Sequence, residues 1–206
     1  WGLDEYGQAT PPVGSFSAVS AGGMHTCGVK TDGTLACWGA GDAPRHETRI
    51  VRVDGGYVPG DADEEAQAYP PTGTFDSVSS GFFHTCAVRT SGEVLCWGSN
   101  AAGQANSPEG EFVEVSAGGA HSCARDAEGA VRCWGANERY QSGPPDYEYA
   151  AIDAAGQLTC GLTTDGAAVC WGCPSGTCKD YEEDSLTDWW KGDDWESTEG
   201  TDDGAI

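Results

Sequence analysis

Four pairs of cysteines constrain the fold of this chain more than any other feature, because each pair has nine residues between its members. A three-residue turn ending in Gly lies midway in every pair, as Thr31-Asp32-Gly33 does in the first. Loops of this kind commonly join two strands into a hairpin, with the Gly in the left-handed conformation. The cysteines then face each other at a non-hydrogen-bonded pair, where the Cα atoms approach closely enough for a disulfide. The predicted disulfides are Cys27–Cys37, Cys86–Cys96, Cys123–Cys133 and Cys160–Cys170.

The repetition extends to other residues at fixed distances from each first cysteine. A Gln lies nineteen residues before it, an aromatic residue eleven before and a Val or Ile eight before, and Trp-Gly follows each second cysteine. The first cysteines are 59, 37 and 37 residues apart, and 22 extra residues between Trp38 and Gln67 explain the longer interval. Self-similarity at this period is typical of propellers and solenoids. The recurring residues are Gln8, Gln67, Gln104 and Gln141; Phe16, Phe75, Phe112 and Tyr149; Val19, Val78, Val115 and Ile152; and Trp38, Trp97, Trp134 and Trp171.

Each unit is predicted to contain three short strands, which in the first unit are residues 16–20, 25–30 and 34–38. The first strand is expected to be apolar at alternate positions. In the hairpin, Cys27 and Val29 lie on one face, while the smaller Thr26 and Gly28 lie on the other. This alternation suits sheets stacked face to face. No long stretch has helical periodicity, so the predicted fold class is all-β.

The repeated string resembles a known family. From Val19 to Gly39 it reads Val-Ser-Ala-Gly-Gly-x-His-Thr-Cys-x3-Thr-Asp-Gly-x3-Cys-Trp-Gly, and it is preceded by Trp-Gly-x5-Gln. It resembles the regulator of chromosome condensation (RCC1) repeat, in particular the secreted bacterial members with paired cysteines. The resemblance covers roughly residues 1–172 and implies a β-propeller, usually of seven blades in this family. Members include exchange factors for a small GTPase and propeller-type inhibitors of β-lactamases, so the resemblance implies a fold and no single activity.

Departures from the family pattern shape the predicted architecture. The chain has four units, and the fourth carries Leu158 where the others carry His. We predict an RCC1-like propeller over residues 1–172, with an insertion at 40–66, and an acidic, Trp-rich tail over 173–206. The propeller would consist of four three-stranded, disulfide-stapled blades. It either closes within one chain or is open and completed by a neighbouring chain, because open repeat arrays expose their terminal faces.

Cysteine usage indicates the cellular compartment, and the net charge limits the possible partners. Disulfide-stapled hairpins indicate an oxidising, extracellular compartment, and a secreted chain without an initiating Met or signal sequence is expected to be a processed form. Cys173 and Cys178 are predicted to close a fifth loop, with a zinc half-site as the alternative. The formal net charge of −23, from 33 acidic residues against 10 Lys and Arg, argues against a nucleic-acid partner. No apolar run reaches membrane-spanning length.

The histidines and tryptophans that recur in phase are interpreted as packing residues. His25, His84 and His121 each lie two residues before a cysteine, and we predict that they are buried and hydrogen-bonded between blades. A repeated metal site is the alternative. The tryptophans after the second cysteines are predicted to pack between blades rather than to form a ligand surface. The tail tryptophans Trp189, Trp190 and Trp195 are expected to dock on this chain or on a second copy, with contact to a sugar or other ligand as the alternative. Together with Trp1 they are the interface candidates.

Two acidic runs are candidates for binding calcium, because hard cations need several converging oxygen ligands. Neither run fits the fixed offsets of an EF-hand loop, and a solvated acidic segment is the alternative. The candidate ligands are Asp61, Asp63, Glu64 and Glu65 in the insertion, and Asp193 and Asp194 in the tail.

The sequence carries no nucleophile elbow, zinc-protease His pair or phosphate-cradling loop. We therefore expect a non-catalytic, secreted propeller that is structural and self-associating, as a subunit of an extracellular fibre or surface assembly. In this hypothesis the tail, or the strand bearing Trp1, completes a blade of a neighbour. The alternative is a monomeric recognition module that binds a protein or glycan through its loops, with the insertion 40–66 as the contact surface.

Overall fold

The computed structural model describes residues 2–41 and 66–172, and the backbone of residues 50–53 and 56–59. This part of the chain is all-β, as predicted, and forms antiparallel sheets. Its strands are β1 (Phe16–Ala21), β2 (His25–Lys30), β3 (Leu35–Gly39), β4 (Ile50–Val53), β5 (Gly56–Pro59), β6 (Phe75–Ser80), β7 (His84–Arg89), β8 (Val94–Gly98), β9 (Glu114–Ala117), β10 (His121–Arg125), β11 (Val131–Gly135), β12 (Tyr149–Ala155), β13 (Leu158–Thr163) and β14 (Ala168–Gly172).

Each repeat unit forms one sheet, or blade, in which three consecutive strands pair in chain order. Blade 1 consists of β1–β3, blade 2 of β6–β8, blade 3 of β9–β11 and blade 4 of β12–β14. The two-stranded hairpin β4–β5 lies within the predicted insertion. Three strands in each of four units are therefore confirmed, and their ends differ from the predicted ones by a residue or so.

The hairpin of each blade has the predicted register. Cys27 pairs with Cys37, and their disulfide joins Cα atoms 4.0 Å apart. The Lys30 N–H donates to the Thr34 carbonyl at 2.7 Å, so strand alternation leaves the cysteines at a non-hydrogen-bonded pair. Gly33 closes the turn with a φ of +83°. The other confirmed disulfides are Cys86–Cys96, Cys123–Cys133 and Cys160–Cys170, with Cα–Cα distances of 4.1, 4.0 and 4.0 Å.

A β-bulge in the first strand changes which of its side chains share a face. The pairing register shifts between Phe16 and Ala18, which turns Phe16 onto the face that carries Val19 and Gly28. A Cβ added at Gly28 would lie 2.6 Å from the Phe16 ring, so this ring lies directly over the glycine. The expected alternation of apolar residues along the first strand is therefore wrong. Blades 2 and 4 show the same shift in pairing register. The spacing of three residues between Phe16 and Val19 is the sequence signal of the bulge.

The four disulfides differ in burial, and this difference predicts unequal contributions to stability. Cys86 and Cys96 are 0% and 7% exposed, whereas Cys160 is partly buried and Cys170 is exposed. Replacing either pair by alanine removes a similar loop constraint of about 2–3 kcal/mol. The inner pair also leaves a cavity, which we expect to cost about 1–2 kcal/mol more.

Urea unfolding of the Cys86→Ala/Cys96→Ala and Cys160→Ala/Cys170→Ala double variants measures this difference. The outer pair serves as the matched control, because both pairs have a sequence separation of 10. Equal losses of unfolding free energy in the two variants would contradict the packing that we describe around the inner disulfide.

Candidate functional site

Each blade presents two faces of different character, because side chains alternate across a strand. The first, which we call the disulfide face, consists in blade 1 of His25, Cys27, Val29, Leu35 and Cys37. The second, which we call the aromatic face, consists in blade 1 of Phe16, Val19, Thr26, Gly28 and Trp38.

The disulfide face of one blade packs on the aromatic face of the next. Between blades 1 and 2, Cys27 and Leu35 belong to one apolar cluster with Phe75, Val78 and Trp97. The equivalent residues form a cluster between blades 2 and 3 and another between blades 3 and 4. The predicted packing of the repeated tryptophans between blades is therefore confirmed for the second, third and fourth units.

A hydrogen-bonded bridge crosses each of these three interfaces beside the disulfide. His25 Nε2 lies 2.7 Å from the Thr85 hydroxyl of the next blade, which donates to the Gln67 main-chain carbonyl at 2.9 Å. The Trp97 indole N–H donates to the same carbonyl at 2.9 Å. The predicted hydrogen bonding of the histidines between blades is thus confirmed. The equivalent contacts are His84–Ser122 at 2.9 Å and His121–Thr159 at 2.7 Å.

The bridge determines the protonation state of these histidines. The Thr85 hydroxyl has a single proton and gives it to Gln67, so His25 must donate from Nε2. His25 therefore carries a proton on Nε2, and its buried Nδ1 has no hydrogen-bond partner within the described residues. Desolvation by burial lowers the pKa of each bridge histidine to about 4, and for His84 the neighbouring histidines contribute as well.

Two main-chain contacts align the edges of successive blades, and the sequence analysis missed both. The Ser80 N–H donates to the Ser20 hydroxyl oxygen at 2.9 Å, and the Phe75 N–H donates to the carbonyl of the turn residue Gly33 at 2.8 Å. The repeated Ser seven residues before the first cysteine is the signal that could have revealed the first contact. The equivalent contacts are Ala117–Ser79, Ala154–Ser116, Phe112–Gly92 and Tyr149–Gly129.

Two blade faces lack a neighbouring blade among the described residues: the aromatic face of blade 1 and the disulfide face of blade 4. Val19 on blade 1 is 65% exposed, whereas Val115, in the same position of blade 3, is 6% exposed. Leu162 on blade 4 is 45% exposed, whereas its counterpart Val29 is 2% exposed. These end faces thus expose the kinds of residue that the inner interfaces bury.

An exposed aromatic pair distinguishes the loop between β6 and β7. Phe82 and Phe83 are 53% and 41% exposed, with ring centroids 6.1 Å apart. Units 1 and 3 have Gly23 and Gly119 at the position of Phe82, and a Cβ built on either glycine would touch the Phe82 ring. Phe82 therefore lies against the corresponding loops of blades 1 and 3, and it presents an apolar surface that the sequence analysis did not single out.

Several predicted site residues lie outside the described residues, and their roles stay predictions. Within the described ranges, no group of three or more His, Cys, Asp or Glu side chains is placed to hold a metal ion. The same ranges hold no helix with the length and apolarity needed to cross a membrane. The predictions left untested in this way concern Trp1, Trp189, Trp190 and Trp195; the Cys173–Cys178 loop; and the calcium candidates Asp61, Asp63, Glu64, Glu65, Asp193 and Asp194.

The fold and its repeated interfaces define the class of protein, a disulfide-stapled repeat protein of the β-propeller type. Residues 16–43, 75–104 and 112–141 match the family described as the regulator of chromosome condensation (RCC1) repeat. The match confirms the resemblance to the RCC1 repeat that was drawn from the sequence. They contain most of blades 1, 2 and 3.

Solved structures from plants and yeast have a similar fold. They include the ectodomain of receptor kinase CR4 from Physcomitrella patens (27% identity, TM-score 0.59), the CRINKLY WD40 ectodomain of receptor kinase ACR4 from Arabidopsis thaliana (21%, 0.54) and yeast RCC1 (Prp20) bound to Kap60 (14%, 0.57). The similarity covers 79%, 77% and 79% of this chain. It covers 42%, 50% and 45% of those chains, so this chain spans half of their length or less.

The buried neutral histidines predict that stability falls as the pH is lowered from 7 to 5. An unfolded chain binds protons below pH 6.5, whereas the folded histidines resist protonation until about pH 4. Stability from this source is complete above pH 6.5 and is lost on acidification, by about 2 kcal/mol per histidine at pH 5. His84→Leu, which copies the natural Leu158, should therefore reduce the loss between pH 7 and 5 by about 2 kcal/mol.

Urea unfolding of the oxidised protein at pH 7, 6 and 5 measures this dependence. His25→Leu and His121→Leu should each give a similar reduction and serve as internal replicates of the result. An unchanged pH dependence in all three variants would contradict the burial of neutral histidines.

Proposed function

We propose that this chain is a non-catalytic, secreted β-propeller protein that self-associates as a subunit of an extracellular fibre or surface assembly. The observation that carries the proposal is the exposure of two end faces whose counterparts pack against a neighbouring blade at three interfaces within the chain. Val19 and Leu162 mark these faces, at 65% and 45% exposure. Apolar surface of this kind is expected to be covered by a partner in solution.

The negative net charge of the chain means that self-association requires a specific contact between copies. Copies that each carry a formal net charge of −23 repel one another, which keeps such proteins soluble and opposes casual association. The end faces are suited to overcoming this repulsion, because the blade 1 aromatic face and the strands β13 and β14 of blade 4 have few ionisable side chains. Salt screens charges over about 10 Å at 0.1 M, so association should strengthen as salt is added.

Two observations support an extracellular setting for this proposal. The four described disulfides are of the kind that persists in oxidising compartments. The CR4 structure, at 27% identity, is a receptor ectodomain. A structural role rather than catalysis also fits the bridge histidines, which are neutral, buried and engaged with the next blade. Calcium bridging between acidic segments belongs to the same proposal as an untested addition.

Solution mass is the measurement that tests self-association. Light scattering of the oxidised 21.4 kDa chain, with negative-stain electron microscopy, should show oligomers or fibres that grow with protein concentration and with salt. A mass of one chain at all concentrations and salt levels would overturn the proposal.

A second candidate function is recognition of a protein or glycan through loops, and the exposed Phe82–Phe83 pair favours it. Under this alternative the chain is a monomer, and the aromatic pair forms the contact surface in place of the insertion. Aromatic side chains supply large contact areas in recognition sites.

Replacing the aromatic pair separates the two candidates. Phe82→Gly/Phe83→Ala gives this loop the same residues as Gly119 and Ala120 in unit 3, so we expect the fold to be kept at a cost of about 1 kcal/mol. Self-association through the end faces should then be unchanged by light scattering. Loss of association in this variant would assign the contact to the aromatic loop instead.

A further inference from the structure

The two end faces are complementary halves of the contact that the chain already makes three times. We propose that blade 4 of one copy docks on blade 1 of a second copy, in the register of the inner interfaces. The contact joins the disulfide face of blade 4 to the aromatic face of blade 1. This inference rests on the proposed self-association and specifies the surfaces, the register and the partner, which is a second copy of this chain.

The apolar part of the contact is already in place on both faces. On blade 1, the Phe16 and Trp38 rings lie 5.8 Å apart at an interplanar angle of 57°. Their counterparts on blade 4, Tyr149 and Trp171, lie 5.6 Å apart at 52° and pack on the disulfide face of blade 3. The aromatic face of blade 1 therefore has the arrangement that receives a disulfide face, and Leu162 supplies the aliphatic side chain for it.

The main-chain contacts that align the inner blades also have both partners at the ends. Their acceptors on blade 4 are the Asp153 carboxylate, in the position of Ser20, and the Gly166 carbonyl, in the position of Gly33. The donors on blade 1 are the N–H groups of Ala21 and Phe16, by register with Ser80 and Phe75. The turn of blade 1 contacts the next blade, because a Cβ built on Gly33 meets Thr74. The turn of blade 4 is open at the same place, because no atom lies within 4 Å of a Cβ built on Gly166.

Besides Asp153, the bridge position also departs from the inner interfaces, and this departure is tolerable. Leu158 replaces the bridge histidine and would face the Thr26 hydroxyl of the second copy. Thr26 already donates to the Gln8 carbonyl at 3.0 Å, so no buried donor is left without an acceptor. The contact between copies therefore lacks the histidine bridge and depends on apolar packing and main-chain hydrogen bonds.

The partner is a second copy because one chain carries both surfaces and joins the same two surfaces at each inner interface. Such a contact is heterologous, since each copy contributes a different face. Heterologous contacts extend into open filaments unless the rotation between copies closes a ring. A pair of copies therefore keeps one face of each kind available after the first contact, which suits a fibre or surface assembly.

Single charges on either end face test the proposal in the full oxidised chain. Val19→Glu blocks the blade 1 face and Leu162→Glu blocks the blade 4 face, at positions already 65% and 45% exposed. Val113→Asp is the matched control, because it is 51% exposed in blade 3 and Asp76 occupies the same position in blade 2. Each end variant alone should be monomeric by light scattering, with the control associating like the unmodified chain.

Mixing the two end variants distinguishes this register from others. Val19→Glu keeps a competent blade 4 face and Leu162→Glu keeps a competent blade 1 face, so the mixture should form one-to-one dimers and nothing larger. Circular dichroism and thermal melting of each variant confirm that the charges leave the fold intact. If either variant dimerises alone, the contact joins two identical faces and the proposal is overturned.

Other outcomes of these experiments show whether the proposed function or only the proposed contact is wrong. An unmodified chain that stays monomeric overturns both this proposal and the proposed function. An association that survives both end substitutions overturns the blade-to-blade contact and leaves the proposed function standing. If deletion of residues 179–206 abolishes association while both end variants associate normally, the tail is the interface. A monomeric chain that loses thermal stability on Leu162→Glu would mean that this face is covered within the chain.

Discussion

The packing of a disulfide face on an aromatic face is the interaction on which the rest of this structure depends. A three-stranded sheet of about fifteen residues cannot bury its own apolar surface, so each blade is stable only against a neighbour. The two faces must therefore match one another in every unit. This requirement explains why the cysteines, the aromatic residue, the Val or Ile and the Trp recur in phase. It also explains why Gly28 and its counterparts are small, because an aromatic ring lies over them.

Polar bridges inside these interfaces add specificity to the apolar packing. The His25–Thr85–Gln67 bridge leaves one acceptor, Nδ1, buried without a partner in the described structure, and an unsatisfied buried group costs free energy. The bridge selects a register for the apolar packing, since only one alignment brings Nε2 to the hydroxyl. Leu158 lies where the series of bridges ends, on the face that has no described neighbouring blade.

The ends of a repeat array are chemically similar to its interior, and this property connects the fold to the proposed function. An enzyme site needs groups that differ from the scaffold, whereas the end faces of this chain resemble the inner faces and differ mainly in exposure, apart from Asp153 and Leu158 on blade 4. Where the loops do depart from the repeat, as at Phe82 and Phe83, they offer a second surface of a different kind. One surface lies on the blades and the other on a short loop between two strands of blade 2, so recognition requires little ordering of the chain.

The sequence by itself determined the blades, because local rules fix them: the turn residues set the hairpin, and the hairpin register sets the Cys27–Cys37 disulfide. It also indicated that His25 and Trp97 pack between blades, since recurrence in phase implies a shared environment. Only the tertiary structure decided what they contact. The bulge that turns Phe16 onto the face of Val19, the Gln67 carbonyl that accepts two hydrogen bonds and the unequal exposure of the two end faces arise from main-chain geometry and from neighbouring blades. Side-chain type and spacing do not encode these features, because they depend on how separate units meet in space.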